Sequence, residues 1–317
     1  MHKHRIILKH FDLAEGKISF SKLRELQDKL TTLAESAVLN LIEGRSKPGR
    51  GKKPKWLNQV LDFQLTGLNS GSTILEVEAP EISEHHSNRQ LALFEEPEAE
   101  TLLQESAFGL VSYVYDKAVN KPQESGWLDK YLLQQITGFK KLLDNEQSEI
   151  LLISNSHSKV KEVSIKRESL EQISVTEQKV PESVKTAVTG TLDVMRHRKE
   201  QMEIVTSSGQ LIRALPGEKY NIKNLNTFFG EKVKIVGLAH FKTDRSLKFM
   251  EILDIKKAGT TDKAAEELTL PVFEDLDLKR LAREQSWQGF NERAFKRTIK
   301  DLEVEESPEE LLALLKN

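Results

Sequence analysis

The sequence predicts an α+β protein in three parts: helices packed on an antiparallel sheet, a small five-stranded β-barrel and a helical C-terminal tail. Three observations support this prediction. Apolar residues recur at helical spacing over residues 20–43, and apolar and polar residues alternate along several short segments, as in strands with one wet face. Residues 184–257 contain five strand-like segments with one short helix between the third and the fourth.

Residues 1–178 form the predicted N-terminal α+β unit. A strand is expected over residues 4–12 and a long helix over residues 20–43, with Gly44 in the position of a helix C-cap glycine. Residues 81–100 are acidic and irregular, and we expect a mobile loop there. The other predicted elements are hairpin strands at 61–65 and 75–79, helices over 103–118 and 128–143, and strands at 149–154 and 160–165.

Loop 45–55 is basic and contains no acidic residue. Its spacing is not that of a phosphate-binding loop, because Gly49 is followed by Arg50-Gly51 rather than by Lys and Ser/Thr. Lys and Arg side chains that meet phosphates release counterions, so the loop is a candidate site for RNA or DNA, and a solvated loop is the alternative. The candidate nucleic-acid-binding residues are Arg45, Lys47, Arg50, Lys52, Lys53 and Lys55.

Residues 184–257 have the element order of an OB-type barrel. Many OB-type domains bind single strands on their second and third strands through aromatic rings. This surface is expected to lack aromatic rings here, which favours a scaffolding or protein-binding barrel, but a basic edge at residues 196–199 keeps nucleic acid open. The residues expected on it are Met202, Ile204, Val205, Leu211, Ile212 and Arg213.

Residues 258–273 are interpreted as a linker and residues 274–317 as a helical, partner-binding tail. Ser307 is placed to cap the last helix, Pro308 suits its first position and Glu310 completes a capping box. The helix that follows has only about two turns, too few to be stable alone in water. We therefore expect it to dock, either on this protein or on a partner.

The composition narrows the classes of function. The chain has no cysteine, which excludes disulfides and thiolate chemistry, and its net charge of −2 argues against a whole-chain nucleic-acid binder. His2, His4, His10, His85 and His86 have no metal-binding spacing and are expected on the surface or in loops. Because the sequence shows no catalytic motif, no signal peptide and no membrane span, we expect a non-catalytic, cytoplasmic protein without metal or cofactor.

The C-terminal segment resembles the ends of bacterial antitoxins that pair with PIN-domain ribonucleases. Such ends commonly read Trp-Pro-Gly-Asp-Glu-Ser/Thr, followed by two glutamates and a leucine-rich stretch. Glu306-Ser307 and Glu309–Leu312 match this pattern, whereas Leu302–Val304 replace Trp-Pro-Gly. The chain also resembles an uncharacterised bacterial protein family at residues 65–72, 190–192 and 233–241.

The resemblance implies an antitoxin-like binding protein whose tail inhibits a protein partner such as a PIN-type nuclease. Because such nucleases hold their metal with carboxylates, a basic tail side chain would be suited to reach the site. The implied partner-binding residues are Arg293, Arg297, Glu309, Glu310, Leu311, Leu312, Leu314 and Leu315. Two alternatives stay open: a nucleic-acid-binding regulator that uses loop 45–55 and the barrel, and an enzyme whose site in the N-terminal unit no motif reveals.

Overall fold

A computed structural model contains a five-stranded antiparallel sheet, helices packed on it and a closed five-stranded β-barrel, which confirms the α+β prediction at this level. Sheet, helices and barrel belong to one compact unit, Met1–Leu270. The predicted tail and most of the predicted linker lie outside the described residues. The structure describes residues 1–13, 16–49, 52–69, 73–86, 101–123, 126–154, 160–196, 201–217 and 219–259.

The sheet has the strand order β2-β3-β1-β4-β5, and every neighbouring pair is antiparallel. Residues at alternate positions of the central strand β1 are buried, as expected for a strand with one face against a core. The strands are β1 His2–Lys9, β2 Gln64–Asn69, β3 Thr73–Ala79, β4 Glu149–Ser154 and β5 Glu162–Lys166.

The long predicted helix is confirmed as α1, Phe20–Glu43. The Ser19 hydroxyl accepts a hydrogen bond from the Lys22 N–H at its start, and Gly44 ends it with a positive φ of 75°. Every residue from Leu33 to Ile42 is buried, so the second half of α1 is enclosed on all sides. The other helices of this layer are α2 Lys55–Val60, α3 Ile82–His85, α4 Ala107–Asn120, α5 Lys130–Thr137 with a 3-10 turn at Gly138–Leu142, and α6 Arg167–Lys179.

The barrel closes in the order β6-β7-β8-β10-β9 and back to β6. Strands β8 and β10 are parallel, and the other pairs are antiparallel. Gly237 lies where a Cβ would stand 2.3 Å from the Glu251 carbonyl oxygen, so the strands approach too closely for any side chain there. The elements are β6 Val184–Arg196, β7 Gln201–Thr206, β8 Leu211–Pro216, α7 Ile222–Leu225 with a 3-10 turn at Asn226–Phe228, β9 Lys232–Phe241 and β10 Leu247–Lys257.

Some predicted elements differ from those observed. The first hairpin strand begins at Gln64 rather than at residue 61, because helix α2 precedes it, and Leu65 is 50% exposed. The predicted mobile loop 81–100 begins instead with helix α3, and residues 87–100 lie outside the described residues. Helix α6 was not predicted, since it buries only Leu170 and Ile173 and shows little apolar periodicity.

The predicted binding surface on the second and third barrel strands is also wrong in part. Met202, Ile204 and Ile212 point into the barrel and are buried in its core. Leu211 is exposed on the outside. The difference follows from the period of two along a strand, which places neighbouring residues on opposite faces.

His4 lies in the core, contrary to the expectation of a surface histidine. Its ring stacks on Phe108 with the centroids 4.5 Å apart, and its Nε2 lies 2.8 Å from the Ser106 hydroxyl. Its Nδ1 has no hydrogen-bond partner among the described residues. Burial, assisted by the neighbouring His2, lowers the pKa of His4 to about 3, so the ring is neutral at physiological pH.

No helix in the described part of the chain combines the length and the apolar character that crossing a membrane requires.

Candidate functional site

A cavity of about 520 Å³ lies between the loop that follows α1 and one wall of the barrel. This volume is within the range of small-ligand sites. Helix α5 and the segment that leads into β6 complete the walls. The polar and aromatic residues that line it include Arg45, Ser46, Lys47, Asp129, Lys130, Tyr131, Glu182, Ser183, Tyr220, His240, Phe249 and Glu251.

Loop 45–55 is anchored at two points. The buried Ser46 hydroxyl donates a hydrogen bond to the Asp129 carboxylate, which also caps helix α5 by accepting from the Leu132 N–H at 2.9 Å. Further along, the Lys53 ammonium donates to the buried Glu35 carboxylate at 2.6 Å. The described part of the loop is therefore positioned by the helical layer rather than left in solvent.

A buried lysine joins the barrel to the helical layer. The Lys248 ammonium donates to the Asp129 carboxylate at 2.5 Å, to the Asn40 side-chain oxygen at 2.6 Å and to the Trp127 carbonyl at 3.4 Å. Gln201 adds a hydrogen bond of 2.8 Å to the carbonyl of Glu43 at the end of α1. These bonds fix one wall of the cavity relative to the other.

The ionisation of the Lys248–Asp129 pair is set by burial and by the charges of the two side chains. Burial lowers the pKa of the Lys248 ammonium, although the Asp129 carboxylate opposes that shift. Burial alone would raise the pKa of Asp129, but the charge and hydrogen bond of Lys248, together with Ser46, hold it below its usual value. Asp129 is therefore an anion at neutral pH.

Arg45 and Lys47 supply positive charge at the mouth of the cavity. The Arg45 Nε donates to the Glu43 carboxylate at 2.8 Å, whereas Lys47 is exposed and forms no ion pair within 4.0 Å with any described residue. Two tyrosines, Tyr131 and Tyr220, line the same cavity and are half-buried. Cations and aromatic rings thus face one space.

Ser183, His240 and Glu251 form a relay on the barrel side of the cavity. The Ser183 hydroxyl lies 2.9 Å from His240 Nδ1, and His240 Nε2 lies 3.5 Å from the Glu251 carboxylate. This second distance is longer than an ordinary hydrogen bond, and His240 Nε2 has no hydrogen-bond partner among the described residues. The His240 ring, with smaller contributions from Lys47 and Arg45, keeps the pKa of Glu251 below its usual value.

The structure brings only some of the predicted site residues together. Arg45 and Lys47 line the cavity, and Lys53 is paired with Glu35. Lys52 and Lys55 are exposed and do not line it. Outside the described residues lie Arg50 of the loop and the tail positions Arg293, Arg297, Glu309, Glu310, Leu311, Leu312, Leu314 and Leu315.

Sequence reasoning missed Ser183, His240, Glu251 and Lys248. Ser183 and His240 are 57 residues apart, and no local motif joins them. The register of the barrel strands would have predicted that these residues meet, but the sequence alone does not specify this register. Among the described residues, no group of three or more histidine, aspartate or glutamate side chains is placed to hold a metal ion.

The resemblance of the tail to antitoxins stays a prediction, since its residues lie outside those described. No family model, no curated protein and no solved structure matches the chain.

Proposed function

We propose that this protein binds single-stranded nucleic acid in the cavity between loop 45–55 and the barrel. The observation that carries the proposal is that Arg45 and Lys47 face the same space as Tyr131 and Tyr220. Proteins that bind single strands combine cations that follow the backbone with aromatic rings on which bases stack. We assign the barrel as OB-type, which its strand order and its helix between the third and fourth strands support.

The charges around the cavity place the ligand's backbone on the loop side. Lys47 and Arg45 lie there, whereas the Glu182 and Glu251 carboxylates belong to the barrel side of the cavity. Phosphates near those carboxylates would be repelled, but bases are neutral and can lie against that wall. The ligand's phosphates are therefore expected on loop 45–55 and its bases toward the barrel.

Removal of a tyrosine ring tests the stacking. Base stacking on one aromatic ring contributes about 1–3 kcal/mol, so Tyr131→Ala is expected to weaken binding by about 5- to 150-fold. Affinity would be measured by fluorescence anisotropy with labelled single-stranded RNA and DNA. Phe229→Ala is the matched control, since Phe229 is an exposed aromatic residue that does not line the cavity. Equal losses in both variants, or none in either, would contradict the proposal.

Reversal of a single charge tests the phosphate contacts. Lys47→Glu is expected to weaken binding of every sequence to a similar degree, because phosphate contacts carry no base information. Lys256→Glu is the control, since Lys256 is an exposed barrel lysine outside the cavity. A double-stranded probe is expected to bind more weakly than a single strand, because its bases cannot reach the tyrosines.

A second candidate function is the antitoxin-like one, in which the tail binds and inhibits a protein partner such as a PIN-type nuclease. The observation that favours it is the capping-box sequence from Ser307 to Glu310, which predicts a helix too short to be stable alone. Co-expression with such a nuclease is expected to yield a complex and to suppress its activity. Deletion of residues 301–317 should abolish both effects while nucleic-acid binding is kept, and an unchanged complex would exclude this role.

A further inference from the structure

We propose that Ser183, His240 and Glu251 form a hydrolytic site for carboxylic esters, with Ser183 as the nucleophile. This inference does not depend on nucleic-acid binding. A serine within hydrogen-bond distance of a histidine, which in turn faces a carboxylate, is the arrangement that activates a hydroxyl for acyl transfer. Here the two distances are 2.9 Å and 3.5 Å, and all three side chains line the cavity.

The barrel register explains why these residues meet. Val184 of β6 lies opposite Ala239 of β9, so the preceding Ser183 falls beside His240. On its other side, β9 pairs with β10 such that His240 lies opposite Phe249 and Leu238 opposite Glu251. The relay therefore spans three hydrogen-bonded neighbours in a closed barrel, a rigid support for a site that requires fixed geometry.

The orientation of the histidine is fixed by packing and charge. Its ring stacks on the buried Phe249 with the centroids 4.4 Å apart and an interplanar angle of 23°. The Glu251 carboxylate can only accept, so it favours the tautomer that carries the proton on Nε2. His240 Nδ1 is then a free acceptor for the proton of the Ser183 hydroxyl, which is exposed to the cavity.

The reaction follows from these positions. Ser183 Oγ attacks the ester carbonyl carbon while its proton passes to His240 Nδ1, and Glu251 stabilises the imidazolium that results. The tetrahedral intermediate expels the alcohol, which takes the proton from His240, and an acyl-serine remains. Water then attacks this acyl group with His240 as the base, and the products are a carboxylic acid, an alcohol and the free serine.

The cations of loop 45–55 suit the charge that develops. Lys47 and Arg45 line the same cavity as Ser183, so their positive charge favours an oxyanion that forms there. An ester that carries a further anionic group would gain a second interaction with them. We therefore assign the substrate class as carboxylic esters with an anionic substituent.

The test is covalent labelling of the full-length protein with a fluorophosphonate, followed by mass spectrometry of its peptides. We expect modification at Ser183, its loss in Ser183→Ala, and hydrolysis of mono-p-nitrophenyl succinate, an ester with a carboxylate substituent, that the same substitution abolishes. His240→Asn removes the base and should slow the reaction by about 100-fold or more. Ser207→Ala is the control, because Ser207 is an exposed serine in a turn outside the cavity, and it should react as the unsubstituted protein does.

Glu251→Gln tests the positioning role of the carboxylate. The imidazolium loses its anionic neighbour, so the rate should fall and the midpoint of the pH–rate profile should move to lower pH. A merely structural role would leave that midpoint unchanged. Labelling and ester hydrolysis are measured without nucleic acid, so failure of this site is distinguishable from failure of the binding proposal.

Two results would overturn the inference. One is a natively folded protein, verified by circular dichroism, that the probe does not label at Ser183. The other is ester hydrolysis that persists unchanged in Ser183→Ala.

Discussion

The two sheets of this protein bury a basic side chain in different ways. In the barrel, Lys248 reaches three acceptors and keeps an anionic partner in Asp129. In the antiparallel sheet, His4 has, within the described part of the chain, one hydrogen-bond partner at Nε2 and none at Nδ1. A buried charge is tolerated where its bonds are satisfied, and a buried histidine with one bond remains neutral. The Lys248–Asp129 pair is therefore expected to stabilise the fold across neutral pH, while His4 is expected to weaken the fold in acid.

Loss of the Lys248 ammonium is expected to have the largest effect. Lys248→Met leaves the Asp129 carboxylate buried without its cation, and breaking a buried pair in this way costs about 3–5 kcal/mol. The free energy of unfolding would be measured by urea denaturation. Lys256→Met, at an exposed position of the same strand, is expected to change it by less than about 0.5 kcal/mol. Equal changes in both variants would show that the pair is not what joins barrel and helices.

Acid is expected to weaken the protein through His4. Its folded pKa of about 3 lies below the unfolded value of 6.5, so the unfolded state binds the proton more readily. Stability contributed by neutral His4 is complete above pH 6.5 and is lost as the pH falls toward 3. The loss at pH 5 relative to pH 7.5 is about 2 kcal/mol. His4→Leu should remove this part of the pH dependence, and an unchanged slope in that variant would contradict the assignment.

The Ser46 hydroxyl is expected to have the smallest effect of the three. Ser46→Ala removes one hydrogen bond from Asp129, which keeps those from Lys248 and Leu132. The expected loss is about 0.5–1.5 kcal/mol, the range for a typical single hydrogen bond. Urea denaturation of Ser46→Ala beside Lys248→Met would measure it. A loss as large as that of Lys248→Met would mean that Asp129 depends on the loop more than on the barrel.

The parts of the fold that the sequence predicted are those with local signals. Helix α1 has apolar periodicity over 24 residues and capping residues at both ends, Ser19 and Gly44. Helix α6 lacks such a signal because its surface is mostly polar. His4 shares a strand face with Ile6 and Leu8, so its alternation could have indicated burial, although a histidine there is equally compatible with a wet edge.

The candidate site had no local signal of this kind. Ser183 directly precedes β6, His240 lies on β9 and Glu251 lies on β10, so their contact depends on the register of the barrel strands. The alternating pattern of its strand predicts that Lys248 faces solvent, and only the packing of the barrel against α1 buries it. For the basic loop, the sequence indicated the positive charge of Arg45 and Lys47 but not that these residues line a cavity with the barrel.

The measurement that tests the central claim most directly is the salt dependence of single-strand binding. Each phosphate contact makes the slope of log K, where K is the association constant, against log salt concentration more negative by about 0.7. Contacts by Arg45 and Lys47 therefore predict a slope of about −1.4 or steeper. Lys47→Glu should make that slope less negative by about 0.7, and Lys256→Glu should leave the slope unchanged. A slope near zero, or one that the two variants alter equally, would contradict binding of nucleic acid in this cavity.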